Sequence, residues 1–366
     1  MSNTLDLTEV IPANYQRAFF FPRLGYLLSD IVLQYYRKRD FLTIYSNGIL
    51  GTYISNRAAE WASQNGKEIF SSEQDFRLFE KGFRDVIAEN EAFITEKLKK
   101  TLVTLDDFIE LSDLVSKVYY YFEKTEFFFT DGCYQGQMSD ILKKNLLILG
   151  EDLKMKSRPL FVELFTTVLY HFISIIAPQF TLKEEDLRFY SLDEVREIMK
   201  FGKRVDQNMI AERQKSFVIY CVDERIIPLD GKDKALILER FKEKDHSKAR
   251  EFKGTIANKG KVRGKALVIL PELDIPYERF AKKLYSMKMD EGDILVSETT
   301  SPDFVPLMKR AGGIIANQGG LNSHAAIMAR ELGIPCLVAT HHATEILKTG
   351  DMIELDADTG VVRILT

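Results

Sequence analysis

Apolar residues recur at helical spacing through most of the first 250 residues. Residues three or four apart lie on one face of a helix, so each such stripe predicts an amphipathic helix. Residues that resemble helix N-caps precede three of these stretches: Ser71, Thr104 and Ser191. The Asn47-Gly48 pair, between apolar residues, predicts a hairpin or a tight turn, and residues 216–222 (SFVIYCV) predict a short strand. Residues 1–242 are therefore predicted to form a mainly α-helical domain.

The pattern changes after residue 253 to short apolar runs that alternate with short helical stretches. Predicted strands are 266–270, 293–297, 313–316, 336–339, 352–355 and 361–364. Predicted helices are 277–286, 303–311, 324–332 and 342–348. This alternation indicates a sheet covered by helices, so the fold class is multidomain, α plus α/β. A segment rich in lysine and arginine, residues 243–260, is predicted to be a charged linker or hinge that leads into a C-terminal domain at 254–366.

Composition narrows the classes of function. The formal net charge of −4 gives no reason to expect nucleic acid or an anionic membrane as a partner. The first ten residues, MSNTLDLTEV, are polar and acidic and are not expected to form a signal peptide, and the apolar run 159–178 is predicted to be a buried core helix. The three cysteines are far apart along the chain, which predicts buried free thiols in a cytoplasmic protein and no metal site.

The stretch 319–335, GGLNSHAAIMARELGIP, carries the candidate chemistry. Ser323 is a good N-cap, so His324 is predicted to be the first residue of a short helix. Unpaired backbone N–H groups at a helix N-terminus favour a negative charge, and Gly319 and Gly320 remove side chains where a ligand would approach. A neutral imidazole there can attack phosphorus and form a phosphohistidine. An ordinary structural histidine is the alternative.

Residues 254–366 resemble the mobile, swivelling phosphohistidine domain of the phosphoenolpyruvate-utilising enzymes. The resemblance runs through GTIANKGKVRGKALVI, TTSPDFVPLMKRAGGII, the histidine segment and HATEILKTGDMIELDADTGVV. It implies a β/β/α fold and places the phosphorylated histidine at His324. It places the family's glycine pair, Arg-Glu pair and Thr-x-Pro signature at the following positions: Gly319 and Gly320, Arg330 and Glu331, Thr300 and Pro302.

The chain departs from the family pattern at three positions near this segment. The family usually has threonine where Ala316 stands, often has glycine in place of Ala339, and often has asparagine in place of His342. These differences bear on the electrostatics of the site.

The segment 186–199, DLRFYSLDEVREIM, resembles the helical region that precedes the mobile domain in phosphoenolpyruvate synthase-like and rifampicin phosphotransferase-like proteins. In the latter group this region holds the phosphate acceptor, so the aromatic cluster between Tyr119 and Phe129 is a candidate acceptor pocket. A plain hydrophobic core is the other interpretation of that cluster, and His171 is predicted to be a core residue.

The resemblance implies a phosphotransferase in which His324 carries a phosphoryl group to pyruvate or another small-molecule acceptor. Members of the family load the histidine with an ATP-grasp domain, but the first 250 residues show no glycine-rich phosphate loop. ATP and Mg²⁺ are therefore expected on a separate ATP-grasp partner, with no cofactor bound durably here and incomplete catalysis without that partner. The alternative is a non-catalytic binding or regulatory module that retains the fold, which the departures at Ala316 and Ala339 favour. A third possibility is that the helical domain only docks the partner.

Overall fold

The computed structural model describes residues 6–22, 25–36, 39–46, 48–134, 138–242, 249–270, 277–300, 302–321 and 323–365. Contacts divide the chain into two compact units: Met1–Lys242 with Leu273–Tyr277, and Glu243–Glu272 with Glu278–Thr366. Of the predicted linker, residues 243–248 lie outside the described residues. Its later part is not a coil, because residues 251–258 are paired in a sheet.

The first unit contains a five-stranded antiparallel sheet in the order β1-β3-β2-β4-β5. Its strands are β1 (Tyr15–Pro22), β2 (Phe41–Ser46), β3 (Ile49–Ser55), β4 (Ser216–Val222) and β5 (Arg225–Leu229). The predicted strand at 216–222 is confirmed, but the prediction of a mainly helical domain missed β1 and β5. A strand buried on both faces, such as β2, has a continuous apolar run rather than alternation, so periodicity alone does not identify it. Asn47, in the predicted turn, lies outside the described residues.

Helices make up most of the rest of this unit. They are α1 (Tyr26–Tyr36), α2 (Asn56–Ser71), α3 (Glu73–Lys97), α4 (Leu105–Phe122), α5 (Phe127–Thr130), α6 (Asp140–Leu147), α7 (Met155–Glu163), α8 (Leu169–Gln179), α9 (Glu184–Leu187), α10 (Leu192–Phe201), α11 (Gln207–Lys215) and α12 (Gly231–Arg240). Capping boxes at Thr104 and Ser191 confirm two predicted helix starts. The third was wrong by one residue: Ser72 caps α3 by accepting from the Asp75 N–H, and Ser71 ends α2.

The run Asp140–Gln179 joins α6, α7 and α8 through the π-helical segments Ile148–Lys154 and Leu164–Val168. By length and composition it could cross a membrane, with a mean hydropathy of 1.8 over its most apolar window. However, 56% of that window is buried inside the protein, as in the core helix of a globular unit. Phe161, Phe172 and Ile176 on this run pack in the main core.

The predicted aromatic cluster is mostly core. Phe122 stacks on Phe161 with ring centroids 4.4 Å apart, and Phe129 is fully buried. Among the described residues of the cluster, Tyr120 is the one that is largely exposed, with 47% of its surface accessible to solvent. His171 is half-buried and its Nε2 lies 2.8 Å from the Lys100 carbonyl oxygen. The core interpretation therefore holds for most of the cluster and for His171.

The second unit is built on an eight-stranded sheet in the order β6-β13-β12-β8-β9-β10-β11-β7. Its strands are β6 (Glu251–Lys253), β7 (Thr255–Asn258), β8 (Lys261–Ile269), β9 (Ile294–Ser297), β10 (Gly313–Ala316), β11 (Cys336–Val338), β12 (Met352–Asp356) and β13 (Val361–Ile364). Its helices are α13 (Tyr277–Ser286), α14 (Val305–Met308), α15 (His324–Leu332) and α16 (Ala343–Ile346). All six predicted strands and all four predicted helices are present, whereas β6 and β7 were not predicted.

The sheet curls round on itself because its two end strands, β6 and β7, are separated along the chain by Gly254 alone. The Gly254 N–H donates to the Gly360 carbonyl at 3.0 Å. A Cβ at Gly254 would lie 2.6 Å from Cγ2 of Thr340, so the crossing requires glycine. Strands β8, β9, β10 and β11 are parallel, which brings their carboxyl ends to one edge of the sheet.

Candidate active site

Three loops meet at the carboxyl edge of the parallel strands. They follow β9, β10 and β11, starting at Glu298, Asn317 and Ala339 respectively. The Asn317 N–H donates to the Ser297 carbonyl and the His341 N–H donates to the Asn317 carbonyl, at 3.0 and 3.1 Å. Ligands of open parallel sheets bind at such an edge, and this is where the chain places the histidine segment.

His324 is the first residue of α15, as predicted. Ser323 is the N-cap, and its hydroxyl accepts a hydrogen bond from the Ala326 N–H at 3.3 Å. The Ser323 N–H in turn donates to the Gly320 carbonyl at 3.0 Å. Gly319 has φ +104°, and a Cβ there would lie 2.6 Å from Cβ of Ser323. Glycine at 319 is therefore required for the turn that seats the cap.

The imidazole of His324 contacts the loop after β9. Thr300 is buried, and its Oγ1 lies 3.1 Å from Nδ1 of His324. A hydrogen bond at one imidazole nitrogen fixes the ring and sets the role of the other. The structure thus brings together five of the predicted site residues: Thr300, Gly319, Gly320, Ser323 and His324.

Arg330 is placed elsewhere. Six residues of helix, at about 1.5 Å each, put it roughly 9 Å along the α15 axis from His324. Its Nη1 is 3.5 Å from the Ala257 carbonyl oxygen on β7. The geometry therefore links Arg330 to the packing of α15 on β7 rather than to the imidazole.

A buried polar network underlies the site. The carboxylate of Glu298 is fully buried and accepts hydrogen bonds from the side-chain amides of Asn317 and Gln318, at 2.6 and 2.9 Å. The hydroxyl of Thr344 also donates to this carboxylate, at 3.2 Å, and the Thr340 hydroxyl donates to Oδ1 of Asn317 at 3.0 Å. The network ties the three loops together and thereby fixes the segments that carry Thr300 and His324.

Sequence reasoning missed this network. The sequence feature that could have identified the network is a polar residue directly after each of two buried strands. These residues are Glu298 after β9 and Asn317 after β10. Among the described residues, no group of three or more histidine, cysteine, aspartate or glutamate side chains is placed to hold a metal ion.

The positions that depart from the family pattern lie beside this network. Ala316 ends β10, and its carbonyl accepts from the Thr340 hydroxyl at 3.1 Å. Ala339 has φ +52°, in the left-handed region, where glycine carries no steric penalty. His342 precedes α16, and its Nδ1 lies 3.3 Å from an Oε of Glu345.

The cysteines are free and buried, as predicted. Cys336, on β11, lies beneath α15, and burial raises the pKa of its thiol to about 12. It is therefore a packing residue rather than a nucleophile.

The second unit is similar in sequence to a family of known proteins. Residues 289–360, which lie within the second unit, match the family described as PEP-utilising enzyme, mobile domain. The match includes the loops after β9 and β10, His324 and α15.

Curated relatives extend the similarity. The chain is 39% identical over 162 residues to a probable phosphoenolpyruvate synthase of Archaeoglobus fulgidus, covering 44% of this chain and 20% of that protein. It is 45% identical over 111 residues to the phosphoenolpyruvate synthase of Pyrococcus furiosus, covering 30% and 12%. It is 28% identical over 183 residues to the rifampicin phosphotransferase of Bacillus cereus, covering 50% and 19%. The matched segments thus span at most a fifth of the length of these relatives.

Proposed function

We propose that this protein is the phosphocarrier component of a phosphoenolpyruvate synthase-like phosphotransferase, with His324 as the phosphorylated residue. The observation that carries the proposal is the contact between Thr300 Oγ1 and Nδ1 of His324 at the N-terminus of α15. If the hydroxyl accepts from Nδ1–H, the lone pair of the imidazole is on Nε2. Nε2 is then the nucleophile.

In the loading step, a bond forms between Nε2 and the phosphorus of the donor as the bond from phosphorus to the nucleotide oxygen breaks. In the delivery step, an acceptor oxygen forms a bond to the phosphorus as the Nε2–P bond breaks. The acceptor hydroxyl releases its proton to solvent, and the imidazole keeps its Nδ1 proton and returns to the neutral form. Phosphoryl transfer depends mainly on positioning and charge stabilisation. The N–H groups at the start of α15, with the Gly319–Gly320 turn beside them, supply donors for the phosphoryl oxygens.

The donor is proposed to be a separate ATP-grasp protein that binds ATP and Mg²⁺. The names of the relatives support pyruvate or another small molecule as the acceptor. Movement between donor and acceptor would use the chain before Glu251, because residues 251–258 are paired into the sheet of the second unit. The free buried thiols are compatible with a cytoplasmic setting.

A labelling experiment tests the proposal. The full chain is incubated with an ATP-grasp protein from its genomic neighbourhood and with ATP carrying radioactive phosphorus in the β- or the γ-position. Acid-labile, base-stable label is expected on the wild type and on His341→Ala, a control that removes a neighbouring exposed histidine. It is expected to be lost in His324→Ala. Label that persists in His324→Ala would refute the assignment.

The second candidate is a non-catalytic module that keeps the fold, and the strained backbone at Ala339 is the observation that favours it. Under this alternative the wild type binds the ATP-grasp partner but takes up no label from a partner that phosphorylates other carriers. Uptake of label by the wild type removes this alternative.

A further inference from the structure

A second candidate site lies wholly within the first unit, between α1, α4 and α10. There a cleft of about 490 Å³ is lined by side chains that include Tyr35, Arg39, Asp113, Tyr120 and Arg196. Its volume lies in the range of small-molecule sites. The lining combines two guanidinium groups and two phenol rings with one acid.

Two buried charged residues, Glu123 and Lys124, lie behind the lining residues Tyr35, Arg39 and Tyr120 and form the floor of the cleft. Glu123 is fully buried and pairs with the guanidinium of Arg39, and it accepts a hydrogen bond from the Tyr35 hydroxyl. Lys124, also buried, shares this carboxylate at 3.5 Å. Two cations, Arg39 and Lys124, therefore share the carboxylate of Glu123, so these three side chains together carry one positive charge more than negative charge. Nζ of Lys124 lies 3.7 Å from the centroid of the Tyr120 ring. Burial first, and then the charge of Arg39, lower the pKa of Lys124 to about 8, although Glu123 opposes this shift.

Arg196 on α10 supplies a second cationic wall. Its Nη1 pairs with Asp193 at 3.0 Å, a carboxylate that is 85% exposed. Its Nε is buried and has no hydrogen-bond partner among the described residues. A buried N–H without a partner is destabilising, so the guanidinium is held in place with one of its donors unused.

The aromatic rings define the other half of the cleft. Tyr35 and Tyr120 meet edge to face with centroids 6.3 Å apart, and Tyr120 remains 47% exposed. Exposed aromatic faces beside cationic donors suit a ligand that has a flat apolar part and an anionic group. Asp113 is the single acid among the described lining residues, and it is exposed. The buried carboxylate of Asp30 lies behind the lining residues Gln34 and Leu192, and it accepts a hydrogen bond from the Leu192 N–H at 2.7 Å.

We infer that this cleft binds a small molecule that carries a carboxylate or phosphate group on an aromatic or similarly flat body. The anionic group would lie between Arg39 and Arg196, and the flat part would lie against Tyr120. The inference goes beyond the carrier role of His324 and does not depend on phosphoryl transfer.

Calorimetric titration of the full chain tests it with three probes of one shape: phenyl phosphate, benzoate and neutral benzyl alcohol. Saturable one-site binding of at least one anion is expected, with no saturable binding of the alcohol. Whichever anion binds more tightly identifies the group as phosphate or carboxylate. Absence of binding tighter than about 1 mM for both anions would overturn the inference, and so would equal binding of the alcohol.

Variants locate the binding. Arg196→Gln is expected to weaken the anion about 10-fold or more, the loss of one charge-assisted hydrogen bond. Arg77→Gln is the matched control, because Arg77 is also a helix arginine paired with a nearby acid, at 2.6 Å, on the exposed surface. Tyr120→Leu provides a second readout if the thermal unfolding of Arg196→Gln shows that it is misfolded. Wild-type affinity in a folded Arg196→Gln or in Tyr120→Leu would place the binding elsewhere and refute the site.

Discussion

Thr300 Oγ1 lies 3.1 Å from Nδ1 of His324, although 24 residues separate the two along the chain. Thr300 follows β9 and His324 begins α15 after β10, so two neighbouring parallel strands bring them together. The contact orients the imidazole, and in the proposed function the hydroxyl accepts from Nδ1–H, which leaves the lone pair on Nε2. In the proposed function, this pair sets the rate at which His324 accepts phosphate.

The first prediction concerns the hydroxyl of this pair. Thr300→Val keeps the shape of the side chain and removes the partner of Nδ1. The rate of label uptake at His324 is expected to fall about 10-fold, equivalent to about 1.4 kcal/mol of lost orientation, while the free energy of unfolding changes by about 1 kcal/mol. Phosphorylation kinetics with the ATP-grasp partner and chemical denaturation measure the two effects. Thr299→Val, at the preceding and less buried position, is the control. Equal rates in the two variants would contradict the role of Thr300.

The second prediction concerns the turn before the cap. Gly319→Ala places a methyl group 2.6 Å from Cβ of Ser323, at φ +104°. Gly350→Ala is the matched control, since Gly350 has φ +98° but a Cβ there would have no neighbour within 4 Å. Both variants share the backbone strain, so only Gly319→Ala should displace the cap. It is expected to lose about 1–2 kcal/mol more than Gly350→Ala in denaturant unfolding. Equal losses would show that the cap tolerates the methyl group.

The two units differ in how far the sequence predicts them. In the second unit, buried parallel strands give continuous apolar runs separated by helices, and β10 and β13 lie at their predicted bounds. The short edge strands β6 and β7 lie in a charged segment without a continuous apolar run, so the sequence pattern does not predict them as strands. In the first unit, β1 and β5 have no comparable signal beside the dominant helical pattern. The sequence therefore predicts the α/β unit well, whereas of the sheet in the helical unit it predicts the strand at 216–222 and misses β1 and β5.

The candidate site shows a similar division. His324, Ser323 and the glycine turn are local in sequence, so capping rules and the family resemblance identify them. Glu298 and Asn317 act through hydrogen bonds between loops, which depend on strand order rather than on spacing along the chain. The cleft beside Tyr120 likewise depends on how α1, α4 and α10 pack.

The third prediction concerns the buried network under the site. Asn317→Ala removes a donor from the buried carboxylate of Glu298 and an acceptor from the Thr340 hydroxyl. It is expected to cost about 3 kcal/mol in unfolding free energy. In a Glu298→Gln background the same change should cost at least about 1 kcal/mol less, because no buried charge loses a partner. A double-mutant cycle by chemical denaturation measures this coupling. Additive losses would show that Asn317 does not stabilise the Glu298 charge.

The fourth prediction concerns Lys124 in the first unit. Burial lowers its pKa to about 8 from the ordinary value of 10.5, so between these pH values the unfolded chain holds a proton that the folded chain has released. Below pH 8 the buried charge of Lys124 lowers the free energy of unfolding by its full amount. As the pH increases from about 8 to 10.5, the folded protein releases this proton and the free energy of unfolding rises. The difference in unfolding free energy between wild type and Lys124→Met should increase over this interval by up to about 3 kcal/mol.

Urea denaturation of both proteins at several pH values measures that difference. The other ionisable groups are common to the wild type and Lys124→Met, so most of their contributions cancel in the difference. Lys117→Met, on the preceding helix α4, is the control for loss of a lysine, because the Lys117 side chain is 56% exposed and pairs with Glu89 at 2.7 Å. The Lys124 difference should rise more steeply with pH than the Lys117 difference. A flat or falling Lys124 difference would mean that the pKa of Lys124 is not lowered in the fold, because the lysine is solvated or because Glu123 fully compensates its charge. In either case the floor of the cleft would not carry an uncompensated buried positive charge.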